Sequence, residues 1–329
     1  MMADDGSRSF SRRSLLLAAA CGAASSTFAQ AAADGVVRIV NPYAPGGPSD
    51  TIVRLLAEGL SAELGQRVMV ENKPGGGTVI GASTVAKAPP DGRTLLLATV
   101  APLVVQPAIN AALSYDPHKD FALVGMFATV PNLVSVHPSV PVKSVAELIA
   151  HARANPDKLT YASASAGTGP HLGGELFGRM ADVKMTHIPY PGAAPAVLAV
   201  LSGQADVSFV NITPQIQHVK AGKLRALAIG SSRRSSLFPE VPTVAESGLA
   251  GYLSESWNGL AAPAGTPPAA VDRLHQAMAK VMGAGKVKET LAALGAEVTL
   301  SGPDGFAAYV RNDEKLLVPI VRSLGLTTN

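Results

Sequence analysis

The sequence is poor in cysteine, in aromatic residues and in charge. The shortages of cysteine and of aromatic residues each exclude kinds of functional site. Its one cysteine, Cys21, lies near the amino terminus, so the rest of the chain offers no disulfide, no thiol nucleophile and no thiolate metal site. Aromatic residues make up 5%, which argues against sugar sites and single-stranded nucleic-acid grooves, because both use flat side chains as platforms. Charged residues make up 16%, against about 25% in an average soluble domain.

The charge that is present is balanced and dispersed. Lysine and arginine total 27 and aspartate and glutamate total 24, a net charge of +3 with no basic run that would track a phosphate backbone. Nucleic acid is therefore not an expected partner. Apolar residues make up 47%, the share of an ordered globular protein, and 329 residues are enough for two packed domains.

Residues 1–31 have the layout of a secretory signal. Two arginines precede a short apolar stretch, and the small-residue triplet at 29–31 resembles a cleavage site. Residues 11–17 also loosely resemble a twin-arginine signal. Two alternatives remain: lipidation at Cys21, and a membrane anchor, for which the stretch is short of the ~20 residues that a span needs. We therefore expect an exported protein.

Strand-like and helix-like segments alternate along the remaining sequence, which predicts an α/β fold with largely parallel strands. A first series of strands and helices is followed by an extended segment split by Pro131. A second series follows, and the chain then returns through a second extended segment. We infer a two-lobed fold with two hinge-crossing strands, in which lobe 1 holds residues 34–131 plus 254–329 and lobe 2 holds 132–253. A ligand is expected in the cleft between the lobes. Chain length disfavours a single domain, and Pro319 is expected to kink the last helix.

Two strand-to-helix turns, one in each predicted lobe, have the composition of anion-binding loops. In the first, YAPGGPSD (43–50), glycines let the backbone approach a ligand, and Ser49 and Asp50 can cap the helix. The second, SASAGTGPH (163–171), adds hydroxyls and places Pro170 at the first helical position. First-turn N–H groups and the helix dipole would attract an anion. The alternative is two ordinary small-residue turns.

Other motifs argue against an enzyme. GGGTVIG (75–81) resembles a dinucleotide fingerprint, but its spacing differs and the acidic residue about twenty positions further on is missing, so a structural turn is favoured. The seven histidines lack metal-ligand spacing. Ser163, His171 and Asp206 could in principle meet as a triad, but no nucleophile elbow surrounds them. We therefore expect no catalysis, no cofactor and no metal, and Asp206 either faces the cleft or caps a turn.

The order and spacing of several motifs resemble the substrate-binding proteins of tripartite tricarboxylate transporters, also called Bug receptors. The resemblance covers residues 36–326. The motifs that carry it are NPYAPGGPSD, VENKPGGGTVIGA, APPDGRTLLLAT, YDPHKDF, HPSVPVKSVAELIA, YASASAGTGPHLGGELF, HIPYPGAAPAV, GQADVSF, HVKAGKLRALA, PEVPTVAESGL and WNGLAAPAGTP.

The resemblance implies a periplasmic-binding-protein fold that closes on a small carboxylate without catalysis and serves membrane transporter subunits. The ligand-binding residues that it implies are Tyr43, Ala44, Gly46, Gly47, Ser49, Asp50, Thr99, Ser163, Ser165, Gly167, Thr168 and His171, with Tyr190 and Asp206 as wall residues. After Thr99 the chain departs from the family pattern, because VAPL (100–103) replaces small polar residues and predicts a less polar pocket. A ligand sensor without its own transporter and, less favoured, a secreted hydrolase are the alternatives.

Overall fold

The computed structural model describes residues 35–326, so the expectations for the signal sequence and for Cys21 lie outside the described residues. The chain alternates between strands and helices. In chain order the strands are β1 (Val37–Asn41), β2 (Val68–Asn72), β3 (Thr94–Ala98), β4 (Phe121–Pro131), β5 (Leu133–Val136), β6 (Thr160–Ser163), β7 (Thr186–Pro189), β8 (Val207–Ser208), β9 (Arg225–Ile229), β10 (Glu255–Pro263) and β11 (Glu297–Ser301).

The helices lie between these strands and at the carboxyl-terminal end. In chain order they are α1 (Pro48–Leu64), α2 (Val79–Ala86), α3 (Gln106–Ile109), α4 (Val145–Ala154), α5 (Gly169–Ala181), α6 (Ala193–Leu201), α7 (Ile216–Lys220), α8 (Pro268–Gly283), α9 (Gly285–Ala293) and α10 (Pro303–Ser323). A π-helical turn, Ala101–Val105, precedes α3. None of the helices in the described part of the chain is long and apolar enough to cross a bilayer.

The strands form two sheets, and each sheet is the centre of one lobe, which confirms the two-lobed α/β fold. Lobe 1 contains the sheet β11-β4-β10-β3-β1-β2, and lobe 2 contains β7-β6-β8-β5-β9. The chain passes between the sheets from β4 to β5 and again between β9 and β10. The lobe boundaries inferred from the sequence stay a prediction.

The prediction of largely parallel strands is wrong. β1 pairs in parallel with β2 and β3, and β6 pairs in parallel with β7 and β8. The other five pairings in residues 35–326 are antiparallel. The two crossing strands are the reason, since β4 leaves lobe 1 and β10 re-enters it beside β4 in the opposite direction. β11, which the sequence pattern did not reveal, adds to the edge of β4.

Local sequence explains where α1 begins and ends. Pro48 occupies the first turn, where its missing N–H costs nothing, and Gly47 is the N-cap. Ile52, Leu56 and Leu60 bury one helix face, and Gly65 ends the helix in the left-handed conformation that glycine adopts without strain.

The last helix, α10, joins the lobes. Val310, Leu317 and Ile320 lie in one buried cluster with Leu172 and Leu176 of α5 in lobe 2. Because these apolar side chains leave water together, the carboxyl-terminal helix of lobe 1 also stabilises the base of lobe 2. Helix α10 continues through Pro319 as one element, and the kink at this residue stays a prediction.

Three chain segments meet at the hinge. The Gly230 N–H donates to the Asn132 carbonyl at 2.7 Å, and the Ser254 N–H donates to the Gly230 carbonyl at 2.8 Å. The Asn132 N–H in turn donates to the Ser254 carbonyl at 3.1 Å. A Cβ on Gly230 would overlap the Ser254 carbonyl oxygen, so only glycine allows this close approach.

We expect Gly230→Ala to lower the free energy of unfolding by about 1–3 kcal/mol, because the added methyl group meets a rigid backbone carbonyl. Gly283→Ala is the matched control, since nothing lies within 4 Å of its Cβ position, and it should change stability by less than about 0.5 kcal/mol. Urea unfolding followed by circular dichroism measures both. Equal stability of the two variants would contradict a tightly constrained hinge.

Candidate ligand-binding cleft

A cavity of about 240 Å³ lies between the lobes. It is placed at the carboxyl ends of β1, β3, β6 and β7, the position where ligands bind in open α/β sheets. The residues that line it are Tyr43, Gly47, Pro48, Ser49, Asp50, Thr99, Val100, Ala101, Ala164, Thr168, Gly169, Pro170, Gly192, Ala193, Asn211, Ser256 and Trp257.

Three helices direct their amino termini at this cavity. The first residues of α1 come from lobe 1, and those of α5 and α6 come from lobe 2. The N-cap residues are Gly47, Thr168 and Gly192, and none of the three helices has a side-chain cap. Backbone N–H groups at a helix start carry partial positive charge. The cavity is therefore suited to an anion held from both lobes.

Among the lining residues there is no lysine, arginine or histidine, and the one carboxylate, Asp50, is fully engaged by the protein. Its Oδ1 accepts from Asn41 and Asn72, and its Oδ2 accepts from Arg54 and the Gly46 N–H. Burial raises the pKa of Asp50, but these four hydrogen bonds outweigh it and lower the pKa to about 2. Asp50 therefore shapes the first loop and is ionised at neutral pH.

A pair of hydroxyls lies on the lobe 1 wall. The Tyr43 hydroxyl and Thr99 Oγ1 are 2.7 Å apart, and their hydrogen bond uses one of the two hydroxyl protons. Burial raises the pKa of Tyr43 to about 12, against a smaller lowering by Thr99, so the phenol stays neutral and keeps its proton. The pair therefore retains one proton that it can donate to a ligand.

The second loop is supported from behind by two stacked imidazoles. The rings of His171 and His187 lie 3.9 Å apart at an angle of 17°. His171 Nδ1 accepts the Gly167 N–H at 2.9 Å, so the neutral ring carries its proton on Nε2. His187 Nε2 lies 2.7 Å from Ser163 Oγ. The two histidines thereby fix both ends of the 163–168 loop.

Both imidazoles are held in the neutral form. Burial, with a smaller contribution from the neighbouring His187, lowers the pKa of His171 to about 4. Burial also lowers the pKa of His187 to about 4. Glu175 gives little compensation, because its carboxylate lies 3.8 Å from His171 Nε2 and accepts a hydrogen bond from Tyr161.

The floor of the cavity is the hinge itself. Asn211 Nδ2 donates to Ser256 Oγ at 3.0 Å and to Asn132 Oδ1 at 2.8 Å. The indole N–H of Trp257 donates to Asp313 Oδ2 of α10 at 2.6 Å, and this hydrogen bond fixes the orientation of the ring. A ligand in the cavity therefore touches residues whose partners set the angle between the lobes.

Comparison with known proteins agrees with this geometry. A family model described as "Tripartite tricarboxylate transporter family receptor" matches residues 52–326. The chain belongs to this receptor family. It is 34% identical to the protein BugT of Bordetella pertussis over 290 residues, which cover 88% of this chain and 89% of that protein.

Two solved structures of similar proteins contain a bound carboxylate. "R. palustris Rpa4515 with adipate" has a TM-score of 0.78 and 34% identity, covering 88% of the receptor and 97% of that chain. "MatC (Rpa3494) from Rhodopseudomonas palustris with bound malate" has a TM-score of 0.75 and 32% identity, covering 87% of the receptor and 98% of that chain. Both relatives therefore share the fold over nearly their whole length.

The cavity gathers part of the receptor's expected binding residues. Those that line it are Tyr43, Gly47, Ser49, Asp50, Thr99 and Thr168. Ser49 and Asp50 do not cap α1, contrary to the sequence expectation, because Gly47 is the N-cap and Asp50 bonds to the loop instead. Thr168 donates its hydroxyl to the Ser165 carbonyl, within the loop.

The other expected residues lie outside the lining. Ala44 and Gly46 are exposed residues of the first loop that are not part of the cavity lining. Ser163, Ser165, Gly167 and His171 form the internal bonds of the second loop rather than its cavity surface.

Tyr190 and Asp206, expected as wall residues, also lie away from the cavity. Tyr190 packs on an apolar cluster of lobe 2. Asp206 Oδ2 accepts from both the backbone N–H and the hydroxyl of Thr160, at the amino end of β6. The cavity lies at the carboxyl end of that strand, so the structure does not place Asp206 in the wall.

Sequence reasoning missed several cavity residues of the receptor. Gly192 and Ala193 lie at the end of PYPGA (189–193), a third turn between a strand and a helix. Its position after β7 is analogous to that of the other two turns, and this analogy could have identified it. Asn211, Ser256 and Trp257 gave no local signal, because only the folded hinge brings them to the cavity floor.

The histidine pair predicts a pH dependence of stability. Each folded-state pKa of about 4 lies below the ordinary 6.5, so the unfolded chain binds more protons between these values. Their contribution is complete above pH 6.5 and is lost as pH falls towards 4, by at most about 1.4 kcal/mol per pH unit for each histidine. Asp313 acts in the opposite direction, because burial raises its pKa to about 6.

The double variant His171→Asn/His187→Gln keeps a hydrogen-bonding atom at both positions without titrating. We expect its free energy of unfolding to fall less than that of the wild type between pH 6.5 and 4, as measured by urea unfolding at each pH. Asp313 is present in both proteins, so its effect cancels in the comparison. Parallel pH profiles would rule out the histidine pair as the source of acid sensitivity.

Proposed function

We propose that this protein is a periplasmic receptor that captures a small carboxylate between its lobes and delivers it to the membrane subunits of a tripartite tricarboxylate transporter. The observation that carries the proposal is the convergence of three helix amino termini, from both lobes, on a cavity without a basic side chain. Relatives with the same fold hold adipate and malate, both carboxylates.

Binding uses fixed backbone donors. Each hydrogen bond from an N–H group to a carboxylate contributes about 1.5–3 kcal/mol, and the helix dipoles add to it. Because donors of α1 belong to lobe 1 and those of α5 and α6 to lobe 2, a bound anion favours the state in which the lobes are close. In this proposal the receptor only binds and delivers the ligand, so the ligand is released chemically unchanged.

The proposal includes export. Residues 1–31 serve as the signal, and the mature protein begins near Ala32. Amino-terminal sequencing of the secreted form gives the start directly. A mature protein that begins at Cys21 with the mass of a lipid would contradict free release into the periplasm and support the anchored alternative.

Gly47→Leu is expected to weaken carboxylate binding at least tenfold, because the new side chain enters the cavity at the start of α1. Gly47 has a negative φ of −79° and nothing within 4 Å of its Cβ position, so the fold accommodates leucine. Gly283→Leu, also in open space but far from the cleft, is the control. Calorimetric titration with adipate, glutarate and 3-phenylpropanoate measures the effect, and unchanged affinity in Gly47→Leu would place the site elsewhere.

Ligand binding should also make the molecule more compact. Small-angle scattering at saturating ligand is expected to give a smaller radius of gyration than the free protein, because the lobes close on the anion. Uptake of the same labelled carboxylate by spheroplasts tests delivery. Uptake that depends on added receptor supports transport, whereas tight binding without any uptake would favour the ligand-sensor alternative.

A further inference from the structure

The cavity wall offers hydrogen bonds for a carboxylate and few for anything else. Asp50 is used by the first loop, and Asn211 Nδ2 is shared among the hinge oxygens. Thr168 donates to its own loop. The free hydroxyl protons on the wall come from Ser49, which makes no hydrogen bond within residues 35–326, and from the pair formed by Tyr43 and Thr99. At the floor, Ser256 also keeps its hydroxyl proton, because its Oγ only accepts from Asn211.

Apart from Ser256 at the floor, these remaining donors belong to one side of the cavity. Ser49 lies in the first turn of α1, and Tyr43 and Thr99 follow β1 and β3 of the same lobe. Together with the N–H groups of α1, these hydroxyls can donate hydrogen bonds to one carboxylate group of the ligand. A second carboxylate can meet the amino termini of α5 and α6 on the opposite side.

The wall between these two ends is apolar. Val100 and Ala101 follow Thr99 in the π-helical turn, and Pro170 and Ala193 face them from lobe 2. Trp257 adds an aromatic surface, and its indole N–H is unavailable because it is bonded to Asp313. On these sides the middle of a bound ligand therefore meets carbon atoms, and polar side chains reach it only from Asn211 and Ser256 at the floor.

We infer that the ligand of this receptor is a carboxylate with an unsubstituted hydrocarbon body, aliphatic or aromatic, rather than a hydroxylated acid of the citrate or malate type. The inference rests on the proposed function, and it specifies the ligand of the same site. A cavity of about 240 Å³, just below the ~300–1,000 Å³ of sites for drug-sized ligands, requires that the body is small.

Against the apolar part of the wall, a hydroxyl in the middle of the ligand would lose its water and gain no partner, and only Asn211 and Ser256 at the floor could bond it. A polar pocket recognises a hydroxyl by bonding it, whereas an apolar one only tolerates it. Discrimination against the hydroxylated member of a matched pair should therefore be about 10- to 100-fold in the dissociation constant.

The experiment compares three pairs of acids that differ by one mid-chain hydroxyl. They are glutarate and 3-hydroxyglutarate, tricarballylate and citrate, and 3-phenylpropanoate and 3-hydroxy-3-phenylpropanoate. Calorimetry with the mature receptor should show that the unhydroxylated member binds more tightly in every pair that binds. Equal or tighter binding of the hydroxylated members overturns the inference and leaves the proposed function intact. Absence of binding by every acid overturns the proposed function itself.

Ala101→Ser tests the wall directly, because it adds one hydroxyl to a half-buried lining position with little change in volume. We expect it to reduce the preference for the unhydroxylated member about three- to tenfold. Ala111→Ser, at an exposed position outside the cavity, should leave the preference unchanged. An unaltered preference in Ala101→Ser would show that this wall does not contact the body of the ligand and would overturn the inference.

Discussion

The structure depends on the mutual hydrogen bonding of three chain segments at the hinge. Asn132, Gly230 and Ser254 each bond through the backbone to the other two, and a methyl group on Gly230 has no room. The Asn132 side chain extends the contact to Ser254 and Asn211, which reaches the cavity floor. The hinge therefore sets both the angle between the lobes and the shape of the surface on which a ligand rests.

The cleft offers hydrogen-bond donors for an anion without basic side chains. Three helix amino termini supply fixed donors, and the loops before α1 and α5 each have their own polar support. Asp50 organises the first loop through four hydrogen bonds, and the neutral pair of His171 and His187 organises the second. Because backbone donors have no rotamers to order, little conformational entropy is lost when the anion binds. Asp50 and the histidine pair thus shape the loops and supply no positive charge to the ligand.

The sequence predicted the positions of the two cleft loops more accurately than it predicted the contacts of their side chains. It placed YAPGGPSD (43–50) and SASAGTGPH (163–171) between a strand and a helix, where the structure has them, because glycine, proline and hydroxyl residues have strong local preferences. It expected Ser49 and Asp50 to cap α1, and the structure instead shows an uncapped helix with Asp50 turned to the loop. Which side chains of a loop face a cavity depends on partners distant in sequence, such as Asn41 and Asn72, and no local pattern reports them.

The sequence by itself determined the α/β alternation, the two lobes and the family, because hydrophobic periodicity and turn chemistry act over short stretches and the motifs recur in order. Only the tertiary structure decided that the sheets are mixed, that β11 closes the edge of lobe 1, and that Asp206 lies at the far end of β6 from the cleft. It also brought Trp257 to the cavity wall through its bond to Asp313, 56 positions away. Strand direction and wall composition are set by contacts between distant segments, and these form only when the whole chain has packed.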